Sequence, residues 1–292
     1  MSTDAPEAPK ANTWLLEHAK DHHSQCGEDG ILGKALEMLP ERDHWCVEFG
    51  AWDGRHMSNT CHLAEEHDYH VVFIEGNPAK VEVLKKNYAD NPKVHPLCRF
   101  VGWEGEQKLD HILGETPIPK NFDLLSIDID GNDWHVWKAV EKYRPKLVII
   151  EFNPTMATEL DYVQPPVFGT QIGCSLKALE KLGKDKGYEL ICVTSWNAIF
   201  VDAPYFPAFG IEDNRAETLR TDTDKVTHLF SGYDGEIRLT GYRKLPWHGV
   251  PIVSKSIQVL PAFLRHYPDN MSRMKRNIVG LYRAIARSRF RE

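Results

Sequence analysis

Much of what would place this chain quickly is missing from it. None of its six cysteines (26, 46, 61, 98, 174 and 192) sits in a C-x-x-C pair. No disulfide framework can be read from them, and reduced thiols in a cytoplasmic setting are the simpler expectation. No apolar run approaches the roughly 18–20 residues that a membrane span requires. The formal charge of −7 lacks the basic footprint of a general nucleic-acid binder, so no nucleic-acid partner is expected. The first dozen residues are polar and Pro/Ala-rich, with no signal-peptide core, and residues 1–12 read as a disordered leader. A P-loop, a nucleophile elbow, a zinc-type Cys/His cluster and a Ser-His-Asp or Cys-His constellation are all lacking. Internal repeats are lacking as well.

What is present is a pair of strand ends. VEFGAWDG (Val47 to Gly54) runs from an apolar strand into an acid and two glycines four apart. VVFIEGNP (Val71 to Pro78) is a second strand that also closes on an acid. A strand, a glycine turn, a helix and an acid ending the next strand make half of a nucleotide-binding α/β sheet. The spacing is not G-x-G-x-x-G, and a carboxylate at Glu48 would repel a pyrophosphate. Acid-x-Gly-x-x-x-Gly suits a nucleoside with a cationic, phosphate-free tail, as in S-adenosylmethionine. Glu48 would meet its ammonium, Gly50 and Gly54 would allow close backbone approach at positive φ, and Glu75 would accept the ribose hydroxyls. Asn77 could support the ribose or cap the helix that Pro78 opens. The Phe100–Trp103 segment could line the adenine, with Trp103 the cofactor-side candidate.

Alternating elements follow. Ser24 is expected to cap a helix with apolar positions at Ile31, Leu32, Ala35, Leu36 and Leu39. Strands are expected near 45–49, 70–75 and 94–101, with a helix over 57–67. FDLLSIDIDG (Phe122 to Gly131) and PKLVIIEFNP (Pro145 to Pro154) read as parallel strands buried on both faces. YELICVTSWNAIFVD reads as an antiparallel edge hairpin around Trp196 and Asn197, both taken as structural. The expected fold is therefore α/β: a Rossmann-like, doubly wound, mostly parallel sheet with an antiparallel edge hairpin and a basic helical C-terminal tail.

A second group of polar residues gathers at the later strand ends. Asp128 and Asp130 share a side of one strand, and Glu151 and Asn153 lie two apart on the next. If the strands are neighbours, crowding raises at least one carboxylate's pKa, giving a base for an acceptor hydroxyl. A divalent cation, magnesium or calcium on Asp130, Glu151 and Asn153, is an alternative, as is plain turn capping. Asp133, His135 and Asn153 are candidates for the acceptor side, and Glu28 for a lid.

These motifs, in order, resemble an S-adenosylmethionine-dependent methyltransferase of the FkbM type over about residues 24–202. VEFGAWDG and VVFIEGNP resemble its two cofactor motifs. DLLSIDIDGNDWHVWKAV and PKLVIIEFN resemble the signatures of its fourth and fifth strands, with D-G-N-D where E-G-x-E is usual. The resemblance implies a methyltransferase domain over 13–250, with a helical cover at 13–40 and acceptor-side segments at 155–173 and 204–250. Tyr162, Phe168, Tyr205, Phe206, Phe209 and Trp247 offer aromatic surface there, suited to a sugar, polyketide, lipid or aromatic metabolite. Methylation at oxygen is expected; a metal-dependent transferase or hydrolase and a non-catalytic nucleoside-binding scaffold are the alternatives. From Lys255 to Glu292 nine Lys or Arg face two acids, a net +7 against −14 for the rest. This basic amphipathic tail, 251–292, could touch an anionic membrane surface or a partner through 270–292, or pack within the chain or an oligomer.

Overall fold

The computed structural model describes residues 11–289, with side chains to 285. Most of the expected leader lies outside the described residues. The chain separates into two compact units, one running to Thr223 and the other beginning at Asp224. Residues 224–250, expected within the methyltransferase domain, fall in the second unit.

The first unit is built on strands β1 (Trp45–Phe49), β2 (His70–Glu75), β3 (Val94–Cys98), β4 (Leu124–Ile127), β5 (Leu147–Glu151), β6 (Tyr188–Val193) and β7 (Asn197–Asp202). Their spatial order is β3-β2-β1-β4-β5-β7-β6. The first five pair in parallel, while β7 runs antiparallel between β5 and β6. This is the doubly wound sheet with an edge hairpin that the apolar runs imply. Helices α1 (Glu28–Glu37), α2 (Cys61–Glu66), α3 (Pro78–Asn87), α4 (Leu109–Leu113), α5 (Asp133–Ala139), α6 (Leu176–Asp185) and α7 (Ala216–Leu219) accompany it. Both sheet faces are buried, with Phe49, Phe73, Phe122, Trp137 and Phe200 among the largest enclosed side chains. Each such side chain contributes about 1.5–3 kcal/mol by leaving water. Phe209, expected on the acceptor side, is also wholly buried and belongs to this core.

Several boundaries differ from the sequence reading. α2 starts four residues later than expected, because Ser58, Asn59 and Thr60 direct their donors at Glu48 instead of into a helix. α1 begins at Glu28 after Gly27 in the left-handed region, not at Ser24, whose hydroxyl accepts the Asp29 N–H. β3 closes at Cys98. Asn77 does cap α3, its Oδ1 accepting Ala79 N–H at 2.9 Å.

β1 and β4 pair in parallel as far as Phe49 and Ile127, and the segments that follow them touch. A Cβ on Gly50 (φ +74°) would lie 1.8 Å from the Asp128 carbonyl oxygen. Gly54 (φ +76°) is packed on the Tyr88 ring, which a Cβ would meet at 2.7 Å. Protein atoms, not an open approach path alone, account for both glycines.

The second unit holds a hairpin, β8 (Thr227–Ser231) with β9 (Ile237–Gly241), and helix α8 (Arg273–Arg289). On α8, Leu281 (63%), Tyr282 and Ile285 are exposed and Ile278 is half-buried. Among the described residues no helix is long and apolar enough to cross a membrane.

A pair of substitutions tests the glycine reading. Gly33 lies in α1 with no atom within 4 Å of a built Cβ, so Gly33→Ala should raise stability by about 0.5–1 kcal/mol. Gly50→Ala should cost about 1–3 kcal/mol from backbone strain alone, plus the clash. Urea unfolding of both checks this; a tolerated Gly50→Ala would contradict it.

Candidate functional site

The site lies at the carboxyl ends of the central strands. In β4 and β5 the last registered pair is Ile127 with Ile150. One step further, Asp128 follows the end of β4 beside Glu151, the last residue of β5. Asp130 joins them by adopting a left-handed φ of 56°, and ligand oxygens of Asp128, Asp130 and Glu151 all lie within 4.8 Å of one another. Among the described residues none of the three has a cationic partner within ion-pair distance. Asp128 and Glu151 are both pushed well above the ordinary carboxylate range, first by burial and then by neighbouring acids, including each other for Glu151.

Asp133 stands behind them, at the first position of α5. Its oxygens accept Ile129 N–H and Gly131 N–H, each at 2.8 Å. Burial still raises it to about 6 against those bonds. It shapes the turn and does not face outward.

Glu151 pairs with Asn197 across β5 and β7. The Asn197 amide donates to Glu28 Oε1 at 2.7 Å, and Thr194 Oγ1 donates to the same oxygen at 2.7 Å. Glu28 is fully buried, and its Oε2 has no hydrogen-bond partner among the described residues. Burial raises it to about 7 despite those two donors. The sequence offered Glu28 as a lid residue and Asn197 as structural; they form one connection from the N-terminal cover to the acid cluster.

The cofactor-side acids differ from one another. Glu48 is enclosed: Oε2 accepts from Ser58 Oγ (2.6 Å), Thr60 Oγ1 (2.5 Å) and Thr60 N–H (3.2 Å). Oε1 accepts only Asn59 N–H at 3.1 Å and keeps room for another donor. Burial raises the Glu48 pKa, with the bonds from Ser58 and Thr60 opposing it. Its main contacts thus hold the 58–60 segment, which the sequence reading missed although a Ser-Asn-Thr run before a helix is a capping signal. Glu75 sits at the end of β2, its oxygens accepting Trp52 N–H (2.9 Å) and Asn77 N–H (2.7 Å). Each oxygen retains a second lone pair for a ligand hydroxyl.

Trp103 stacks on Phe168 with centroids 4.4 Å apart, and Phe100 meets Phe168 edge-on at 5.4 Å. Phe168 is thereby the residue of the 155–173 segment that joins the aromatic wall beside β3's end. His135 Nε2 donates to the Gln164 carbonyl at 2.8 Å, and buried Gln164 in turn bonds Asn132, Thr170, Ile172 and Gly173. That network fixes the loop and explains His135 structurally. Asn153 is not available as a metal ligand: Oδ1 accepts Thr155 N–H and Oγ1, while Nδ2 donates to Ile172 O. Trp247 falls in the second unit.

Residues 105–190 match the family model described as Methyltransferase FkbM domain. No curated protein matches the chain. Among solved structures, a SAM-dependent methyltransferase from Aquifex aeolicus is 13% identical, covering 65% of this chain and 97% of that one, with a TM-score of 0.37. TrmK of M. capricolum, in complex with S-adenosyl-homocysteine, is 11% identical over 59% of this chain and 67% of that one (TM-score 0.37). The N-terminal domain of EvdMO1, in the presence of SAH and D-fucose, is 13% identical over 63% and 84% (TM-score 0.42).

Glu28 generates a pH prediction. Its folded pKa, about 7, lies above the 4.5 of an unconstrained glutamate, so the folded state binds that proton more tightly. Stability from this group is greatest below pH 4.5 and is lost as pH rises to about 7. Glu28→Gln should therefore lose less stability than wild type between pH 5 and pH 8, read from urea midpoints at about those values. Equal losses would contradict the assignment.

The matched segment spans β4, α5, β5 and α6 and carries the acid cluster. Over residues 105–190 the chain is thus similar to the Methyltransferase FkbM domain.

Proposed function

We propose that the chain transfers the methyl group of S-adenosylmethionine to a hydroxyl oxygen of a small or medium-sized acceptor. The observation that carries this is the placement of Asp128 and Glu151, side by side and with no cationic partner among the described residues, next to the Gly50 turn. Two half-buried carboxylates this close cannot both ionise freely, so the pair loses its first proton well above the ordinary carboxylate range, and the singly ionised pair is the form that can accept a hydroxyl proton. Glu75 would receive the ribose hydroxyls, and Glu48 Oε1, which accepts only Asn59 N–H, would meet the ammonium.

In the transfer, the acceptor oxygen forms a bond to the methyl carbon as the carbon–sulfur bond breaks. Sulfur keeps that electron pair and becomes a neutral thioether. The hydroxyl proton passes to the Asp128–Glu151 pair. Positive charge is dissipated, so alignment of donor and acceptor supplies most of the acceleration and the base the remainder. The wall of Phe100, Trp103 and Phe168 supports an acceptor or adenine with a flat apolar face, such as an aromatic metabolite or the hydrophobic side of a sugar.

The same convergence favours a second reading, in which Asp128, Asp130 and Glu151 hold magnesium or calcium that orients the acceptor oxygen. Asn153 takes no part in it.

Glu151→Gln should lower kcat for a hydroxyl acceptor by roughly 10²–10⁴-fold while leaving S-adenosylhomocysteine affinity within about twofold. Wild-type kcat/KM should rise with pH as the pair loses its proton, and the variant should flatten that rise. An unchanged kcat would contradict the base. Loss of wild-type activity in chelator, restored by magnesium or calcium, would select the second reading.

A further inference from the structure

Away from the acid cluster, α2 and the residue that caps its end carry two histidines, His62 and His67, that the methyl-transfer reading does not use. His62 Nε2 and His67 Nε2 lie 3.3 Å apart. Their ring centroids are 4.8 Å apart, nearer than a straight N–H···N bond between two ring tips would hold them, and the planes are crossed at 79°. The two Nε2 atoms lie within hydrogen-bond distance of one another, at a spacing that a shared ion would also require. In a tetrahedral zinc centre with Zn–N bonds of about 2.0–2.1 Å, two nitrogens stand roughly 3.3–3.4 Å apart, which is the spacing found here. His62 is half-buried and His67 exposed, so solvent reaches the pair.

The surroundings fit this use. His22, from the N-terminal cover, lies flat on His62 with centroids 3.9 Å apart and planes 7° from parallel. A ring stacked this way cannot share an in-plane metal with His62; it shields one face and fixes the ring's orientation. A neighbouring trio, His23, Cys61 and Glu65, also brings ligand atoms within 4.8 Å. That trio is already committed: Arg55 holds Glu65 Oε1 through Nε (2.9 Å) and Nη2 (2.8 Å), and the buried Cys61 thiol lies 3.1 Å from Tyr88 Oη, whose own proton goes to Gly54 O at 2.7 Å. A cation there would have to displace a guanidinium.

We propose that His62 and His67 form a binding site for a zinc-class divalent transition metal, completed by water. Imidazole nitrogens suit zinc, copper and nickel, not magnesium or calcium, so the site is chemically separate from the carboxylates. The metal closes the last turn of α2, since His67 follows Glu66 at the helix end. It also tightens the His22 contact to the cover. The helix it clamps is the one whose leading residues, 58–60, hold Glu48.

The test uses the untagged, metal-stripped full chain titrated with Zn2+ by calorimetry and thermal unfolding. Wild type should bind one equivalent and gain thermal stability. His62→Gln and His67→Gln should each weaken binding at least 10-fold, whereas exposed His111→Gln and the cluster variant Glu151→Gln should not. Cu2+ loaded on wild type should show nitrogen hyperfine structure by electron paramagnetic resonance, lost in His62→Gln. Absence of Zn2+ binding, or binding unaltered in both His62→Gln and His67→Gln, would overturn the proposal.

Discussion

The close approach of two strand ends governs this site. β1 and β4 are neighbours whose connections leave in opposite directions, and such a switch point opens a crevice at the carboxyl edge of a parallel sheet. Here the crevice floor is narrow: the Asp128 carbonyl occupies the space that any side chain at position 50 would need. The turn after β1 and the acids after β4 are thereby held against each other. A ligand engaged by the first is presented to the second.

Charge is treated in opposite ways at the two ends of the sheet. At the amino end, buried Asp123 meets Lys146 at 2.6 Å and accepts His44 N–H at 2.9 Å, so its charge is compensated. At the carboxyl end, Glu28 is buried and Asp128 and Glu151 are half-buried, with no cation among the described residues to offset them. Burial without a partner favours protonation, which is why these acids rise while the buried pair at the other pole is a fixed part of the fold. Glu48 is an intermediate case, its enclosure eased by four hydrogen bonds from residues 58–60.

Local pattern carried most of the architecture. The apolar runs gave β1, β2, β4 and β5, the Ser-Trp-Asn turn gave the β6–β7 hairpin, and Asn77 before Pro78 gave a helix cap. Acids at strand ends also placed Asp128 and Glu151, because strand alternation and parallel pairing leave them little freedom. What escaped notice depends on partners far along the chain. Tyr88 against Gly54, Gln164 against the 170–173 backbone, and Glu28 on the β7 turn carry no local signature. The delayed start of α2 has the same origin, since only the fold reveals that Glu48 takes the donors of residues 58–60. The His62–His67 pair was invisible to a search for Cys/His spacings, being five residues apart with His67 just past the helix end.

A crystal structure with S-adenosylhomocysteine tests the central claim most directly. The nucleoside should lie in the β1/β4 crevice, its ribose hydroxyls on Glu75 and its sulfur facing Asp128 and Glu151. A nucleoside bound elsewhere, or an anionic pyrophosphate ligand seated on the 50–54 turn, would contradict it.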